Sequence, residues 1–320
     1  MRFLCLLLAA ACAAFLAVPA GAFPDRPVRM IVPFAAGGST DVTARILAAK
    51  MSEILGQQVI VENKPGAGGT IGTEEAARAA PDGYTIILQT SSSSVINVWL
   101  YKNLSYDPQG AFRPVALMTR LPNVLVVNPA MGVRTLPELI AKLKAEPDTY
   151  TYGSSGNGTI LHLSGYLFAT MAGVEIEHVP YGGAGPAMTD LLAGHIDMMV
   201  DNLPTALGHI QSGSLVAIGV TTKARSPVLP DVPTLDEAGL AGYETYSWTG
   251  IFAPAGVPDD VVARLQDAAL AAASDPDTRR KLEDLGNEVL AGDAATLESF
   301  WKEQLAIWKP IVESSGVTIE

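Results

Sequence analysis

The segment QQVIVENKPGAGGTIGTEEAARAA, residues 57–80, decides the fold class. A β-branched run typical of a buried strand is followed by four glycines and then by an alanine-rich run with helical character. A chain loses more conformational entropy in ordering glycine than in ordering any other residue. The cluster of Gly66, Gly68, Gly69 and Gly72 therefore predicts that a ligand or another part of the chain approaches this main chain closely.

The same alternation of strand and helix surrounds this segment. Residues 28–34 and 84–90 are typical of strands, and residues 40–55 and 70–80 of helices, which predicts a βαβαβ unit in the N-terminal third. Such a unit implies a parallel sheet with right-handed crossovers. Strands and helices alternate again between residues 123 and 222, so the sequence predicts a second α/β unit.

The C-terminal third changes character after Ser226. A proline-rich connection, SPVLPDVPT, precedes an apolar segment, and helical spacing then dominates residues 257–272, 276–285 and 294–314. If these helices return to the first unit, the chain crosses twice between two domains and leaves a cleft. Small ligands usually bind in clefts of this kind.

The first 22 residues have the pattern of a secretory signal. Arg2 precedes an apolar core over residues 3–18, and Ala20-Gly21-Ala22 fits the small-residue rule for signal peptidase. We therefore expect cleavage after Ala22 and a periplasmic protein, with an uncleaved N-terminal anchor as the alternative. Both cysteines, Cys5 and Cys12, fall inside this segment, so the mature chain has no disulfide.

Charge and composition exclude several classes of function. The chain has 21 basic and 33 acidic residues, and its formal net charge of −12 argues against nucleic acid and against anionic membrane surfaces. No segment after the signal has the ~18 consecutive apolar residues that a membrane-spanning helix needs. The sequence also has no H-E-x-x-H motif, so we expect no metal and no cofactor.

A second glycine loop matches the first. PFAAGGSTD, residues 33–41, also follows a strand and opens a helix, and it shares an A-G-G-[ST] core with GAGGT. Two such loops at the same end of neighbouring parallel strands point two helix N-termini, with their free N–H groups, at one place and predict an anion site. Neither loop has the lysine of a nucleotide P-loop, and Ile71 breaks the dinucleotide pattern, so a carboxylate is the better prediction. The alternative is that the glycines only form turns and helix caps.

Three loops of the second unit occupy equivalent places after strands. They are GSSGNGTILH (153–162), VPYGGAGPAMTD (179–190) and VDNLP (200–204). Ligands of open α/β sheets bind beyond the carboxyl ends of the strands, so we expect these loops to line the opposite wall of the cleft.

These motifs, taken in order, resemble one family. Six segments are similar to Bug-type extracytoplasmic solute receptors. They are PFAAGGSTDVTAR, LGQQVIVENKPGAGGTIGTEEAARAAPDGYT, SSGNGTILHLSGYLF, HVPYGGAGPAMTDLLAGHID, LPDVPTLDEAG and WTGIFAPAGVP. These receptors are the substrate-binding subunits of tripartite tricarboxylate transporters. The resemblance covers nearly all of the chain after residue 25.

The resemblance implies an α/β, two-domain type II periplasmic binding protein, or Venus flytrap, with no enzymatic activity. Residues 23–121 and 225–320 would form domain 1, and residues 122–224 domain 2. The protein would be a monomer that delivers a small carboxylic acid to membrane transporter subunits, or an orphan receptor that senses one. The ligand-binding residues implied by the resemblance are Phe34, Gly37, Gly38, Ser39, Gly66, Ala67, Gly68, Gly69, Ser91, Ser92, Ser154, Ser155, Gly156, Gly158, Thr159, Tyr181 and Asp201.

An exported serine hydrolase is the rival interpretation. It would pair Ser154 or Ser155 with one of the four histidines, but the G-x-S-x-G motif fails because Asn157 stands where its second glycine belongs. We expect His162 and His178 to be structural, since buried histidines usually have internal hydrogen-bond partners.

Overall fold

The computed structural model describes residues 23–319 of the 320-residue chain. The predicted signal segment, Met1–Ala22, lies outside the described residues. Among the described residues, no helix is long and apolar enough to cross a membrane.

The N-terminal third forms the predicted βαβαβ unit. Strand β1 lies between β2 and β3 and pairs with both in parallel. Helix α1 ends at a left-handed Gly56, and its buried face packs on the sheet through Leu47, Met51 and Leu55. The elements are β1 Val28–Val32, α1 Ser39–Leu55, β2 Val59–Asn63, α2 Thr70–Ala77, β3 Thr85–Thr90 and the short α3 Asn97–Leu100, which follows a π-helical turn at Ser92–Ile96.

The middle of the chain forms the predicted second unit. Strand β5 lies between β6 and β7 and is parallel to both. The elements are β4 Phe112–Val127, α4 Leu136–Ala145, β5 Thr151–Ser154, α5 Ile160–Ala172, β6 Glu177–Pro180, α6 Ala184–Ala193, β7 Met198–Asn202, α7 Leu203–Gln211 and β8 Val216–Val220.

The rest of the chain returns to the first unit. Strand β9 is antiparallel to β3, and the last helix packs a stripe of Trp301, Leu305 and Trp308 into the core. The Trp301 indole Nε1 donates to the Ser94 carbonyl at 2.9 Å, which ties this helix to the π-helical turn. The elements are β9 Tyr246–Pro254, α8 Asp259–Ser274, α9 Pro276–Glu283, β10 Glu288–Gly292 and α10 Ala294–Ser315.

One long strand joins the two units. The first part of β4, up to Pro122, pairs antiparallel with β9, and β10 lies on its other side. From Asn123 onward the same strand pairs instead with β7 and β8. The two domains of this α/β fold therefore share a continuous backbone, and the strand changes partners beside the predicted limit at residues 121/122. The domain limits themselves stay a prediction.

Three stretches of strand had no counterpart in the sequence prediction. They are the first half of β4, β9 and β10, which are the antiparallel strands next to the domain junction. Only the start of β9 alternates polar and apolar residues, at Ser247, Trp248 and Thr249, and residues 250–254 form a short apolar run that is buried on both faces. A short apolar run of this kind does not distinguish a buried strand from a buried helix by its pattern.

Packing within the opening segment generates a stability prediction at Gly72. A methyl group there would lie 2.8 Å from the Lys64 carbonyl oxygen and 2.9 Å from Pro33 Cα, both of which are backbone atoms. Gly72→Ala should lower the free energy of unfolding by about 1–3 kcal/mol, measured by urea denaturation. Gly208→Ala is the matched control, since it meets open space inside α7 and should raise stability by about 0.5–1 kcal/mol. Equal stability of Gly72→Ala and the parent protein would contradict the packing account.

Candidate functional site

A cavity of about 1000 Å³ lies between the two domains. Its floor comes from strands at the junction, through Leu121 of β4 and Ser247, Trp248 and Thr249 of β9. One wall consists of the two matched glycine loops before α1 and α2. The opposite wall consists of the loops before α5, α6 and α7, as the strand pattern predicts.

Helix N-termini without side-chain caps surround this cavity. Helices α1, α2, α6 and α7 have Gly38, Gly69, Gly183 and Asn202 at their N-caps, and none of these residues caps its helix through a side chain. The 3₁₀ turn before α2, capped by Gly66, also has no side-chain hydrogen bond. All five residues line the cavity. The first N–H groups of a helix have no partner within the helix, so these termini present donors and partial positive charge to the cavity.

Helices that begin away from the cavity are mostly capped. Thr135 forms a capping box before α4, and Asp275 and Asp293 cap α9 and α10 through their carboxylates. Pro258 before α8 is an exception away from the cavity. Helix α5 also begins at the cavity but is capped by Thr159, so the free N–H groups that a ligand is able to reach belong to the uncapped helices.

The two domain 1 loops need glycine for conformational reasons as well. Gly37 and Gly68 have φ angles of 82° and 62°, in the left-handed region that residues with a Cβ atom rarely adopt. Gly68 is also crowded, because a Cβ atom there would lie 3.3 Å from the Tyr101 hydroxyl. Any side chain at these positions would displace the main chain from its place in the wall.

No fixed charge lines the cavity. Among the described residues that form its wall there is no Lys, Arg, Asp or Glu. Asp41 lies just behind the first loop, where it accepts from the Gly37 N–H at 2.9 Å and pairs with Arg45 on the same helix at 3.0 Å. Within residues 23–319 there is also no cluster of three or more His, Cys, Asp or Glu side chains that is able to hold a metal ion.

Most of the residues predicted to bind ligand line the cavity. They come from both domains and are Phe34, Gly37, Gly38, Ser39, Gly66, Ala67, Gly68, Gly69, Ser92, Ser155, Gly156 and Tyr181. Tyr181 is held by a hydrogen bond from its hydroxyl to the Asp190 carboxylate at 2.7 Å. Whether these residues contact a ligand stays a prediction.

The other five predicted residues do not line the cavity. Ser91, Ser154, Gly158, Thr159 and Asp201 lie behind its wall. Thr159 caps α5 by accepting from the His162 N–H, and a Cβ atom on Gly158 would overlap the Leu100 side chain. These residues shape the loops that reach the cavity from behind, and they do not form part of the cavity surface.

A buried histidine pair supports the Ser154 loop. The rings of His162 and His178 stack with 3.8 Å between centroids, and His178 Nε2 lies 2.7 Å from Ser154 Oγ. The Gly158 N–H donates to His162 Nδ1 at 3.0 Å, so that nitrogen has no proton. Burial lowers the pKa of His162 to about 4, and burial together with the neighbouring imidazole lowers that of His178 to about 3. Since Ser154 is fully buried, this Ser–His contact presents no nucleophile to the cavity.

Hydrogen bonds between described residues of the two domains cross the cleft. Asn202 Nδ2 donates to Ser39 Oγ at 2.8 Å, and the Ile160 N–H at the start of α5 donates to Ser92 Oγ at 3.0 Å. Ser247 in turn donates to Asn202 Oδ1 at 2.6 Å. The sequence prediction named neither Asn202 nor Ser247, although the segment VDNLP was expected at this wall.

Asp201 holds Asn202 in place. Its carboxylate accepts from the Asn202 N–H at 2.8 Å and from the Thr205 hydroxyl at 2.5 Å. The side chain is fully buried, and no charged group among the described residues pairs with it. Burial raises the pKa of Asp201 to about 7, although the two hydrogen bonds act in the opposite direction and lower it.

Comparison with known proteins places this geometry in a family. The family model described as "Tripartite tricarboxylate transporter family receptor" matches residues 43–317. The "UPF0065 protein in tcbD-tcbE intergenic region" of Pseudomonas sp. strain P51 is 40% identical over 292 residues, covering 91% of this chain and 87% of that protein.

Two solved structures with bound acids are also similar. "R. palustris Rpa4515 with adipate" is 36% identical with a TM-score of 0.89, over 92% of this chain and 99% of that one. "MatC (Rpa3494) from Rhodopseudomonas palustris with bound malate" is 36% identical with a TM-score of 0.85, over 91% and 100% of the two chains.

The fold and the interdomain cavity define a two-domain periplasmic binding protein of type II, as predicted. Within that class, the chain belongs to the tripartite tricarboxylate transporter receptor family, the Bug-type receptors that the sequence motifs resemble.

The raised pKa of Asp201 predicts a pH-dependent effect of Asp201→Asn. Because the folded protein binds this proton up to about pH 7 and the unfolded chain releases it near pH 3.9, the Asp201 contribution to stability falls as pH rises between these values. Asparagine does not titrate, so Asp201→Asn loses no stability in this way as pH rises. Relative to the parent protein, the variant should therefore gain up to about 1.4 kcal/mol of unfolding free energy per pH unit in this window. Urea denaturation at pH 5, 6, 7 and 8 measures the difference. A difference that does not change with pH would show that Asp201 ionises normally.

Proposed function

We propose that this protein captures a small carboxylic acid in the cavity between its domains and delivers it to a membrane transporter of the tripartite tricarboxylate type. The uncapped helix N-termini around an uncharged cavity carry this proposal. A carboxylate fits such a site, because main-chain N–H groups and the helix dipoles favour an anion without a cationic side chain.

The chemistry of the wall explains how binding and release are balanced. Gly38, Ser39, Gly66, Ala67 and Gly68 offer neutral donors from domain 1, while Ser155, Gly156 and Tyr181 face them from domain 2. A buried ion pair needs good geometry to offset the desolvation of two charges. A site made of neutral donors binds a carboxylate without such an ion pair. The bound adipate and malate of the two similar structures agree with a ligand of this class.

Closure of the cleft would signal occupancy to the transporter. The Ser39–Asn202 and Ser92–Ile160 contacts join the two walls, so an opening of the cleft breaks both. A ligand that contacts both walls favours the closed form by its difference in affinity for the two states. We infer further that Met1–Ala22 is cleaved on export, that the mature protein works as a monomer in the periplasm, and that its domains divide at residues 121/122 and 224/225.

A ligand screen by thermal unfolding tests the proposal. Mono- and dicarboxylic acids should raise the unfolding midpoint of the mature protein, because a ligand at 100 times its Kd adds about 2.7 kcal/mol to stability. Sugars and nucleotides are the negative controls and should give no shift. The absence of a shift with every acid, or turnover of an ester substrate, would overturn the proposal.

The glycine loop is tested by Gly68→Ala. The new methyl group strains a left-handed residue and moves the loop away from the Tyr101 hydroxyl, so affinity for the best acid of the screen should fall at least about tenfold, roughly one charge-assisted hydrogen bond. Gly56→Ala is the matched control: it has a similar φ of 71° and open space, but lies outside the cavity wall. Isothermal titration of both variants gives the comparison. Unchanged affinity in Gly68→Ala would show that the loop is only a turn and does not bind the acid.

A further inference from the structure

The cavity continues well beyond the ring of helix N-termini. Its wall includes Gly185, Met188, Thr189 and Leu192, which recur at helical spacing along one face of α6. At a rise of 1.5 Å per residue, this face extends for about 10 Å from the N-terminal turn of α6 to its last turn. A carboxylate held at the N-termini therefore leaves a long part of the cavity unfilled.

Helix α7 supplies the other side of this extension. Thr205 and His209, four residues apart on α7, both line the cavity. The strand order β6-β5-β7-β4-β8 makes the two crossovers, β6 to β7 and β7 to β8, run in the same direction across the sheet. Right-handed crossovers then place α6 and α7 side by side on the same face of the sheet. We call the space lined by Met188, Thr189, Leu192, Thr205 and His209 the α6–α7 groove.

The electrostatics of the groove differ from those of the loops. Leu192 lies in the last turn of α6 and His209 in the last turn of α7, where helix dipoles present partial negative charge. A second carboxylate at this end would meet carbonyl oxygens instead of N–H groups. No Lys or Arg of the described cavity wall lies there to compensate for them, and the His209 imidazole is the one basic side chain of the groove.

Apolar side chains contribute to the wall beside the groove. Leu121, Leu161 and Trp248 line the cavity together with Met188 and Leu192. Trp248 Nε1 is buried without a hydrogen-bond partner among the described residues. The volume of about 1000 Å³ lies at the upper end of the ~300–1,000 Å³ range of pockets for drug-sized ligands.

We propose that the α6–α7 groove accepts an uncharged, largely apolar extension of the ligand, so that the preferred substrate is a monocarboxylic acid with a long alkyl or aryl group. This inference rests on the proposed function, because it takes the carboxylate to be held at the glycine loops. It divides recognition into two parts: the loops bind the charge, and the groove selects the length and polarity of the tail.

A homologous series of acids tests the inference. Isothermal titration of the mature protein with straight-chain monocarboxylates from propionate to octanoate, and with phenylacetate and phenylpropionate, should give an affinity that rises about fourfold per methylene until the groove is full. Malate and adipate are the comparators and should bind more weakly than octanoate. Binding of malate or adipate with no gain along the monocarboxylate series would overturn the groove assignment and leave the proposed function standing. Failure of every acid to bind would overturn both.

A variant separates the groove from the loops. Leu192→Gln places a polar group of similar size in the last turn of α6 and should weaken octanoate binding about tenfold while changing propionate binding less than twofold. Ala193→Gln, at the exposed neighbouring position outside the cavity wall, is the matched control and should bind both acids normally. Retained propionate binding also shows that Leu192→Gln is folded. Equal losses for the two acids, or no loss for octanoate, would contradict the inference.

Discussion

Main-chain N–H groups at uncapped helix N-termini are the constraint on which this molecule depends. A helix leaves its first N–H groups without internal partners, and most helices satisfy one of them with a Ser, Thr, Asp or Asn side chain. Here α4, α9 and α10 do so, whereas α1, α2 and α6 begin with glycine and point at a shared cavity. The protein thus leaves donors free in each domain, and in the proposed function a bound carboxylate supplies the missing acceptors. Glycine is needed at Gly69, whose φ is 97° and where a Cβ atom would lie 3.2 Å from Phe34 Cζ, whereas Gly38 has an ordinary φ of −76°.

The remaining architecture brings these donors together. Strand β4 belongs to both domains and changes partners between Pro122 and Asn123, so the two sheets share one continuous backbone at the floor of the cavity. Helix α10 adds a second connection, because it packs through Trp301 on the π-helical turn of domain 1 and accepts a hydrogen bond from Tyr166 of α5 at the Ser314 carbonyl. Asp201, buried with no counter-charge among the described residues, fixes the start of α7 and with it the Asn202 amide that reaches Ser39. These contacts set how the two walls meet.

The sequence predicted the parallel strands, most helices and the two matched loops. A glycine cluster between a β-branched run and an alanine-rich run is typical of a loop between a strand and a helix. It did not predict β10 or the first half of β4, whose antiparallel pairing depends on contacts more than a hundred residues apart.

Gly72 illustrates a further limit. It belongs to the same cluster as Gly68, but it is required by the Pro33 backbone and not by the cavity. Sequence alone gives the same signal for both kinds of close approach. Ser154, Thr159 and Asp201 were predicted at the ligand and lie behind the wall, since a polar side chain in a loop looks the same whether it faces a ligand or its own backbone.

Amide chemical shifts test most directly whether free main-chain donors bind the ligand. In a ¹H–¹⁵N correlation spectrum of the mature protein, a saturating carboxylic acid should move the amide protons of Gly38 and Gly68 downfield and slow their exchange with water, as a new hydrogen bond to an anion requires. The Gly56 amide, which donates to the Ser52 carbonyl at 3.0 Å at the end of α1, should not move. Binding of the acid with no change at Gly38 and Gly68 would contradict the account, because it would place the carboxylate away from the glycine loops.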